Sequence, residues 1–231
     1  MFQTQYVFRN PTKIARWAKG ALWCLAVSEA FLAVVLGLQC RLLAKMQSSG
    51  FVSDDDMMAA ATAGDLHVKV AALLVAVLAV LATILFLMWV YRTSMNVHAL
   101  GAQDLFVTPG FAVGSYFIPF FNFYAPPVTM AEIWKASIDA SRWREQKGTP
   151  FIALWWILQL IAGIGGIASN LAFPTGDDIA ILEVFTLWQV AYSCACVLLH
   201  LTMIFLVGRI SKAQVYQHAK IAVPSDVTAA T

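Results

Sequence analysis

Apolar residues along this chain gather into long, nearly uninterrupted runs. A hydrocarbon core of about 30 Å takes about 20 helical residues to cross. Four runs reach that length without strong helix breakers: Gly20–Cys40, Val68–Tyr91, Phe151–Ala172 and Glu183–Val207. The pattern therefore predicts an all-α integral membrane protein, with four transmembrane helices in a single membrane domain over residues 1–231.

A further apolar stretch, residues 108–128, contains five residues that interrupt helices: Pro109, Gly110, Pro119, Pro126 and Pro127. Each Pro lacks a backbone N–H, and irregular backbone at membrane depth is tolerated only where protein or a wet cavity satisfies it. We therefore predict a Pro-broken re-entrant segment that dips into the bundle and returns on the same side, with its tip near residues 120–123. A fifth, kinked span is the alternative.

A helical pattern follows this segment, over residues 128–147. Apolar and small residues repeat at three and four positions, as at Met130, Ile133 and Trp134, while charged residues such as Glu132 and Lys135 take the other face. Such a helix is typical of the membrane interface. We predict an amphipathic interfacial helix on the cytoplasmic side.

Composition and charge agree with a membrane protein and give it an orientation. Hydrophobic residues make up 60% of the chain and charged residues only 12%, whereas a soluble domain is about a quarter charged. With a re-entrant central segment, twelve of the fifteen Lys and Arg residues fall on one side, and only Arg41, Lys45 and Lys69 on the other. The positive-inside rule then predicts an inner or plasma membrane protein with cytoplasmic N- and C-termini. No basic run is dense enough to indicate nucleic-acid binding.

Small residues recur in the third span. Ala162/Gly166 and Gly165/Ser169 are pairs of small residues four positions apart, which allow two helices to approach closely, and Gly163 lies between them. We predict that this face packs a neighbouring helix, and packing within the chain is the default.

Four polar residues are candidates for a site at mid-membrane depth. Counting 1.5 Å per residue from the predicted cytoplasmic ends puts Glu29 at ~14 Å, Gln159 at ~12 Å and His200 at ~11 Å, and a re-entrant tip would bring Asn122 to a similar level. Ionisable groups inside a span are energetically expensive and are functional candidates by default. The cluster is either a binding site for a proton, cation or small polar ligand, or a buried hydrogen-bonded network that fixes helix packing.

Catalytic and metal-binding patterns do not occur. Cys194 and Cys196 are not spaced as zinc ligands, and no second Cys/His pair accompanies them. A bis-His haem would need a second His at the depth of His200, and the sequence has none. The motifs of known enzyme classes are also absent: the Ser/His/Asp order, HExxH, the P-loop and the dinucleotide fingerprint. We therefore expect no enzyme activity, no metal site and no cofactor.

The middle of the chain resembles an uncharacterised membrane protein family, domain of unknown function 4328. The resemblance covers roughly residues 89–172 and rests on an ordered series of motifs: Trp89-Val90-Tyr91-Arg92, Asn96, Leu100-Gly101, Thr108-Pro109-Gly110-Phe111-Ala112-Val113-Gly114, Tyr116-Phe117-Ile118-Pro119, Asn122, Pro126 or Pro127, Met130, Glu132-Ile133-Trp134-Lys135-Ala136-Ser137 and Trp155-Trp156. Phe111 and Tyr116 stand where the family pattern has Trp. The family name implies no activity.

Two function classes fit these observations. The first is an accessory or structural subunit that packs within a larger membrane assembly, indicated by many small and aromatic packing residues without catalytic chemistry. The second is a small-ligand, ion or proton binding or permeation protein, because broken segments often mark sites in transporters. The expected partners are the lipid bilayer and either a membrane protein or further copies of the chain.

Overall fold

The computed structural model describes residues 6–48, 54–171 and 179–222, and within these ranges the chain is all-helical. Four of the helices are long and apolar enough to cross a membrane. The protein is therefore a multi-pass membrane protein of the predicted all-α class. The helices are α1 (Thr12–Ser48), α2 (Asp54–Ala99), α3 (Pro109–Gly114), α4 (Phe121–Ile138), α5 (Pro150–Leu171) and α6 (Ile179–Ala222).

Three of the four long helices extend well beyond the apolar runs that predicted them. Helix α2 begins at Asp54 rather than near Val68, and α6 continues to Ala222, well past Val207. The apolar run marks only the part of a helix suited to hydrocarbon, whereas the backbone hydrogen bonds continue into its polar ends. Helix α5 (Pro150–Leu171) matches its apolar run closely.

The chain forms two compact units. Unit A contains the described residues within Met1–Gly20, Thr83–Trp156 and Met203–Thr231, and unit B those within Ala21–Ala82 and Ile157–Thr202. Unit A therefore holds α3, α4 and their loops, whereas unit B consists of parts of the long helices.

The central segment folds as two helices joined by a strained turn. Helix α3 starts at Pro109, with Thr108 as its N-cap, and a 3₁₀ turn follows over Ser115–Phe117. Phe120 then adopts a positive φ of 64° immediately before α4 begins. The backbone is thus interrupted around Pro119.

Pro126 and Pro127 were expected to break the backbone, but α4 runs through both. A Pro at position 127 leaves the carbonyl of Phe123, four residues earlier, without its helical donor. The indole Nε1–H of Trp156 donates to that carbonyl at 3.1 Å. The helix continues because α5 supplies a hydrogen bond that the sequence of α4 cannot.

The helix predicted over residues 128–147 ends earlier, at Ile138. The carboxylate of Asp139 accepts hydrogen bonds from the Ser141 hydroxyl at 2.7 Å and from the backbone N–H groups of Ser141 and Arg142. These hydrogen bonds lower the pKa of Asp139, and the bond from the Ser141 hydroxyl contributes most. They also favour a turn over a continued helix. A 3₁₀ turn, Trp143–Glu145, replaces the rest of the predicted helix.

The loops before α3 and after α4 are tied together. The backbone N–H of Phe106 donates to the Glu132 carboxylate at 2.8 Å, and the Trp143 indole donates to the carbonyl of Gln103 at 2.9 Å. An exposed ion pair of 3.4 Å joins Arg144 to Asp104 in the same region. The two ends of the α3–α4 segment therefore lie side by side in unit A.

Candidate functional site

Glu29 lies on α1 in unit B and is 6% exposed. The Ser193 side chain of α6 lies within reach of its carboxylate, while its Oε2 atom has no hydrogen-bond partner. Tyr192 and Cys196 lie within electrostatic reach of the same carboxylate and next to each other on α6. An acidic group with one oxygen unpaired therefore faces three polar side chains of α6.

His200 is also buried in unit B, one helical turn after Cys196 on α6. Its Nδ1 atom has no hydrogen-bond partner. Among the described residues, no hydrogen bond or ion pair joins His200 to Glu29. The carboxylate that sequence reasoning grouped with His200 instead lies beside Ser193, seven residues earlier on the same helix.

The other two residues of the predicted cluster are half-buried. Gln159 lies on α5 in unit B, and its side chain makes no hydrogen bond within the described part of the chain. Asn122 lies in the first turn of α4, which belongs to unit A. Glu29 and His200 are thus the buried members of the set.

Sequence reasoning missed Tyr192, Ser193 and Cys196 as neighbours of Glu29. Ser193, Cys196 and His200 are spaced three and four residues apart, which puts them on one face of α6. Polar side chains at that spacing within an apolar run are the signal that would have found this face.

The small residues of α5 pack against the same part of α6. A Cβ at Gly165 would lie 2.8 Å from the ring of Tyr192, and the Tyr192 hydroxyl donates to the carbonyl of Ala162 at 3.1 Å. The Trp188 indole donates to the Ser169 hydroxyl at 3.1 Å. The face over Ala162, Gly165, Gly166 and Ser169 therefore meets α6 of the same chain, whereas a Cβ at Gly163 would meet open space.

Unit A contains a polar network of its own, centred on Asn96 of α2. The Asn96 side-chain amide makes two hydrogen bonds with the backbone of Arg9: it accepts from the N–H at 3.0 Å and donates to the carbonyl at 2.9 Å. The same amide donates to the side-chain oxygen of Gln214 on α6 at 3.0 Å. One buried side chain thus joins the segment before α1 to α2 and α6.

The network continues from α6 into α4. The amide nitrogen of Gln214 donates to the carbonyl of Thr93 at 3.0 Å and to the hydroxyl of Ser137 at 3.1 Å. Gln217, in the amide orientation that satisfies both of its polar atoms, donates to the carbonyl of Ala136 at 3.0 Å and accepts from the N–H of Ala140 at 2.6 Å. The C-terminal end of α4 is therefore fixed to α6 by buried, satisfied hydrogen bonds.

Aromatic contacts hold the segment before α1 in the same place. Phe8 stacks on His218 of α6 with ring centroids 3.9 Å apart, and Tyr6 stacks on His98 of α2 at 4.7 Å. Sequence reasoning gave these residues no role, because nothing in their spacing indicates which distant helix they meet.

Within the described ranges, no group of three or more His, Cys, Asp or Glu side chains could hold a metal ion. The chemistry that the described residues offer is thus the half-satisfied Glu29 carboxyl and His200 in unit B, and the hydrogen-bonded network in unit A.

Comparison with known proteins gives one result. No curated protein and no solved structure matches the chain. A family model described as "Domain of unknown function (DUF4328)" matches residues 53–212, a longer stretch than the 89–172 that the motifs indicated. Several motif residues of that resemblance, including Trp89, Asn96 and Ser137, lie in the polar network of unit A, where the Trp89 indole donates to the Ser211 hydroxyl at 2.9 Å. The chain belongs to the DUF4328 family.

Proposed function

We propose that this protein is a non-catalytic membrane subunit that packs, as an accessory or structural component, within a larger membrane assembly. The observation that carries the proposal is the turn between α3 and α4, Phe117–Tyr124, which we call the aromatic turn. Five of its aromatic rings are exposed: Phe117, Phe120, Phe121, Phe123 and Tyr124. Phe120 is 86% exposed, although its backbone is held in the left-handed region.

Strain at Phe120 argues that the turn docks against a protein surface. A non-Gly residue at positive φ costs about 1–3 kcal/mol, and such strain persists where a defined geometry has a use. Fluid lipid does not require one fixed ring orientation, whereas protein interfaces depend on aromatic side chains that fill pockets. The occupant we propose for this surface is therefore a second membrane protein.

The rest of unit A supports a preorganised docking element. Trp156 holds the first half of α4, and Gln214 and Gln217 hold its C-terminal half. Because these hydrogen bonds fix the helix behind the turn, the backbone of the turn loses little conformational freedom on binding.

Photo-crosslinking in native membranes tests the proposal. A photoreactive benzoylphenylalanine replaces Phe120, and in a matched sample it replaces Phe31, an exposed aromatic on the α1 span. We expect one discrete protein adduct at position 120 and only lipid adducts at position 31. Lipid adducts alone at both positions, together with a monomeric mass after gentle extraction, would rule out the subunit role.

We further propose that residues 108–128 form a re-entrant segment. We also propose that the protein lies in an inner or plasma membrane with both termini on the cytoplasmic side. The hydrogen bond from Phe106 to Glu132 brings the two ends of the segment together, as a re-entrant path requires. Phe123 meets Trp156, the seventh residue of α5, which corresponds to a depth of about 9 Å along that helix. The distribution of Lys and Arg supports the orientation.

Cysteine labelling tests this topology. In a background without the four native Cys, Ser141→Cys should be labelled by an impermeant reagent only after the cells are opened. Labelling of intact cells would instead support a fifth, kinked span.

A second candidate function is proton or cation binding at Glu29. It is favoured by two buried polar atoms without partners, Glu29 Oε2 and His200 Nδ1. We would measure proton and cation flux into liposomes for the wild type, Glu29→Gln and Glu29→Leu. Flux that both substitutions abolish would favour this function over the subunit role, whereas an inactive wild type removes permeation from consideration.

A further inference from the structure

A groove in unit A lies between the start of α1 and the end of α6 and has a volume of about 420 Å³. Its lining includes three cations, Arg16 and Lys19 of α1 and Lys212 of α6, and no carboxylate. Thr12, Ser211 and Tyr216 also line the groove, and the Ser211 hydroxyl accepts a hydrogen bond from the Trp89 indole. We call this surface the basic groove.

The three cations of the basic groove are unneutralised. Two ion pairs of Arg with Asp, Arg142–Asp139 and Arg144–Asp104, lie in the loops around α4 and do not involve the groove. Within the described part of the chain, Arg16, Lys19 and Lys212 form no ion pair or hydrogen bond. Three like charges around one groove repel each other, so an anion bound between them is favourable.

Lys19 of α1 approaches α6 near Gly208. A Cβ at this position would lie 4.0 Å from Cδ of Lys19, so the aliphatic stem of Lys19 runs close to α6. Lys19 thus reaches from α1 to the helix that carries Lys212. The groove is therefore formed by both helices and is not a row of charges on one of them.

Amphipathic aromatic side chains mark this region as membrane interface. Trp17 lies beside Arg16 and is exposed, and Tyr216, which lines the groove, is 75% exposed. Trp and Tyr prefer the level of the lipid headgroups. Basic pockets between transmembrane helices at that level suit phosphate-bearing headgroups.

A second groove adjoins the first on the other side of Lys212 and Tyr216. It has a volume of about 280 Å³ and is lined by Trp134 and Ile138 of α4 and by Arg209 and Ala213 of α6. This groove adds a further cation, Arg209, and apolar side chains of Trp134, Ile138, Ile210 and Ala213. Cations next to apolar side chains match the two parts of a phospholipid, which are a charged headgroup and the start of an acyl chain.

We infer that the basic groove binds the phosphate of an anionic phospholipid, held by Arg16, Lys19 and Lys212, with the acyl chain entering along the adjoining groove. This site is separate from the aromatic turn, so it does not depend on the proposed subunit role. The shared chemistry is a phosphate oxyanion, and the two possible sources are a lipid headgroup and free inorganic phosphate.

Native mass spectrometry of the full chain distinguishes these sources. The protein is exchanged into detergent containing phosphatidylglycerol, phosphatidylcholine or inorganic phosphate, and the bound adducts are counted. We expect one retained phosphatidylglycerol, with phosphatidylcholine and free phosphate retained far less. Near a membrane surface each cation changes lipid affinity about fivefold, so Arg16→Gln with Lys212→Gln should weaken retention about 25-fold.

Matched controls remove the same charge from the same two helices outside the groove. Lys13→Gln and Lys220→Gln should retain the lipid at the wild-type level, and Lys212→Arg should restore most of the binding that Lys212→Gln loses. Thermal melts of all variants check folding, and a double variant that melts early is replaced by Arg16→Gln alone.

Three outcomes decide the inference. Retention of phosphatidylglycerol that depends on the groove cations supports it. A phosphate adduct that depends on the same cations, without preference for phosphatidylglycerol, assigns the groove to free phosphate and overturns the lipid source. Equal loss in the control variants, or no preference for any anion, overturns the site.

Discussion

Gly165 of α5 and Tyr192 of α6 are in such close contact that a side chain at Gly165 does not fit. A Cβ there would lie 2.8 Å from Cδ2 and 2.9 Å from Cε2 of the Tyr192 ring. The ring is also tethered, because its hydroxyl donates to the carbonyl of Ala162. Absence of a side chain at Gly165 thus allows the Tyr192 ring to pack closely against α5, beside the buried Glu29 site.

We therefore predict that Gly165→Ala destabilises the protein by about 1–3 kcal/mol, as overpacking of a filled core does. Gly163→Ala is the matched control, because its Cβ would meet no atom within 4 Å. Thermal unfolding in detergent measures both. Equal melting temperatures for the two variants would contradict the packing described for Tyr192.

The hydrogen bond from Trp156 to Phe123 predicts a coupling with Pro127. Trp156→Phe removes the indole donor and should cost about 0.5–1.5 kcal/mol. Pro127→Ala restores the helical N–H that Phe123 lacks, so in that background Trp156→Phe should cost clearly less. A double-mutant cycle in thermal unfolding measures the difference, and additive effects would show that the indole does not replace the missing donor.

Asn96→Ala should loosen the segment before α1. The change leaves the side-chain oxygen of Gln214 and both backbone polar groups of Arg9 without these partners, and the buried Gln214 oxygen alone accounts for about 1–3 kcal/mol. Trypsin should then cut faster after Arg9. Thr93→Val is the matched control, since the Thr93 hydroxyl bonds only to carbonyls of its own helix, and its cleavage rate should stay near the wild type.

Glu132→Gln should change how stability depends on pH. Burial raises the pKa of Glu132 above 4.5, and the Phe106 N–H, Arg144 and Lys135 offset this only in part. A raised pKa means that the contribution of Glu132 to stability is complete below pH 4.5 and is lost as pH rises through the folded-state pKa. The variant should therefore gain melting temperature relative to the wild type between pH 4 and pH 7.

Asp139→Asn provides a control of opposite sign. Hydrogen bonds from Ser141 lower the pKa of Asp139, so its contribution is present above pH 3.8 and is lost as pH falls through the folded-state pKa. This variant should be less stable than the wild type at pH 7, and the gap should close in acid. Parallel pH profiles for both variants would contradict the assignments.

The local sequence was sufficient for the fold class and for the main backbone interruption. Long apolar runs predict spans because a backbone in hydrocarbon must satisfy its own hydrogen bonds, and Pro119 predicts the break that the structure has before α4. The motifs from Trp89 to Trp156 also indicated the DUF4328 family, and the family model that matches residues 53–212 confirms it. Each of these properties depends on neighbouring residues along the chain.

Contacts between helices required the tertiary structure. The local sequence at Pro127 predicts a helix break, yet the indole of Trp156 on another helix donates to the Phe123 carbonyl in place of the missing backbone N–H. Glu29 is buried, but only the rotation of α6 decides that Ser193 lies beside its carboxylate. Helical and apolar segments can be recognised from the chain alone, because both properties depend on residues close together in sequence. The side chains that meet depend on how the helices pack, because a rotation of one helix by about 40–60° exchanges one polar partner for another without changing the apolar pattern.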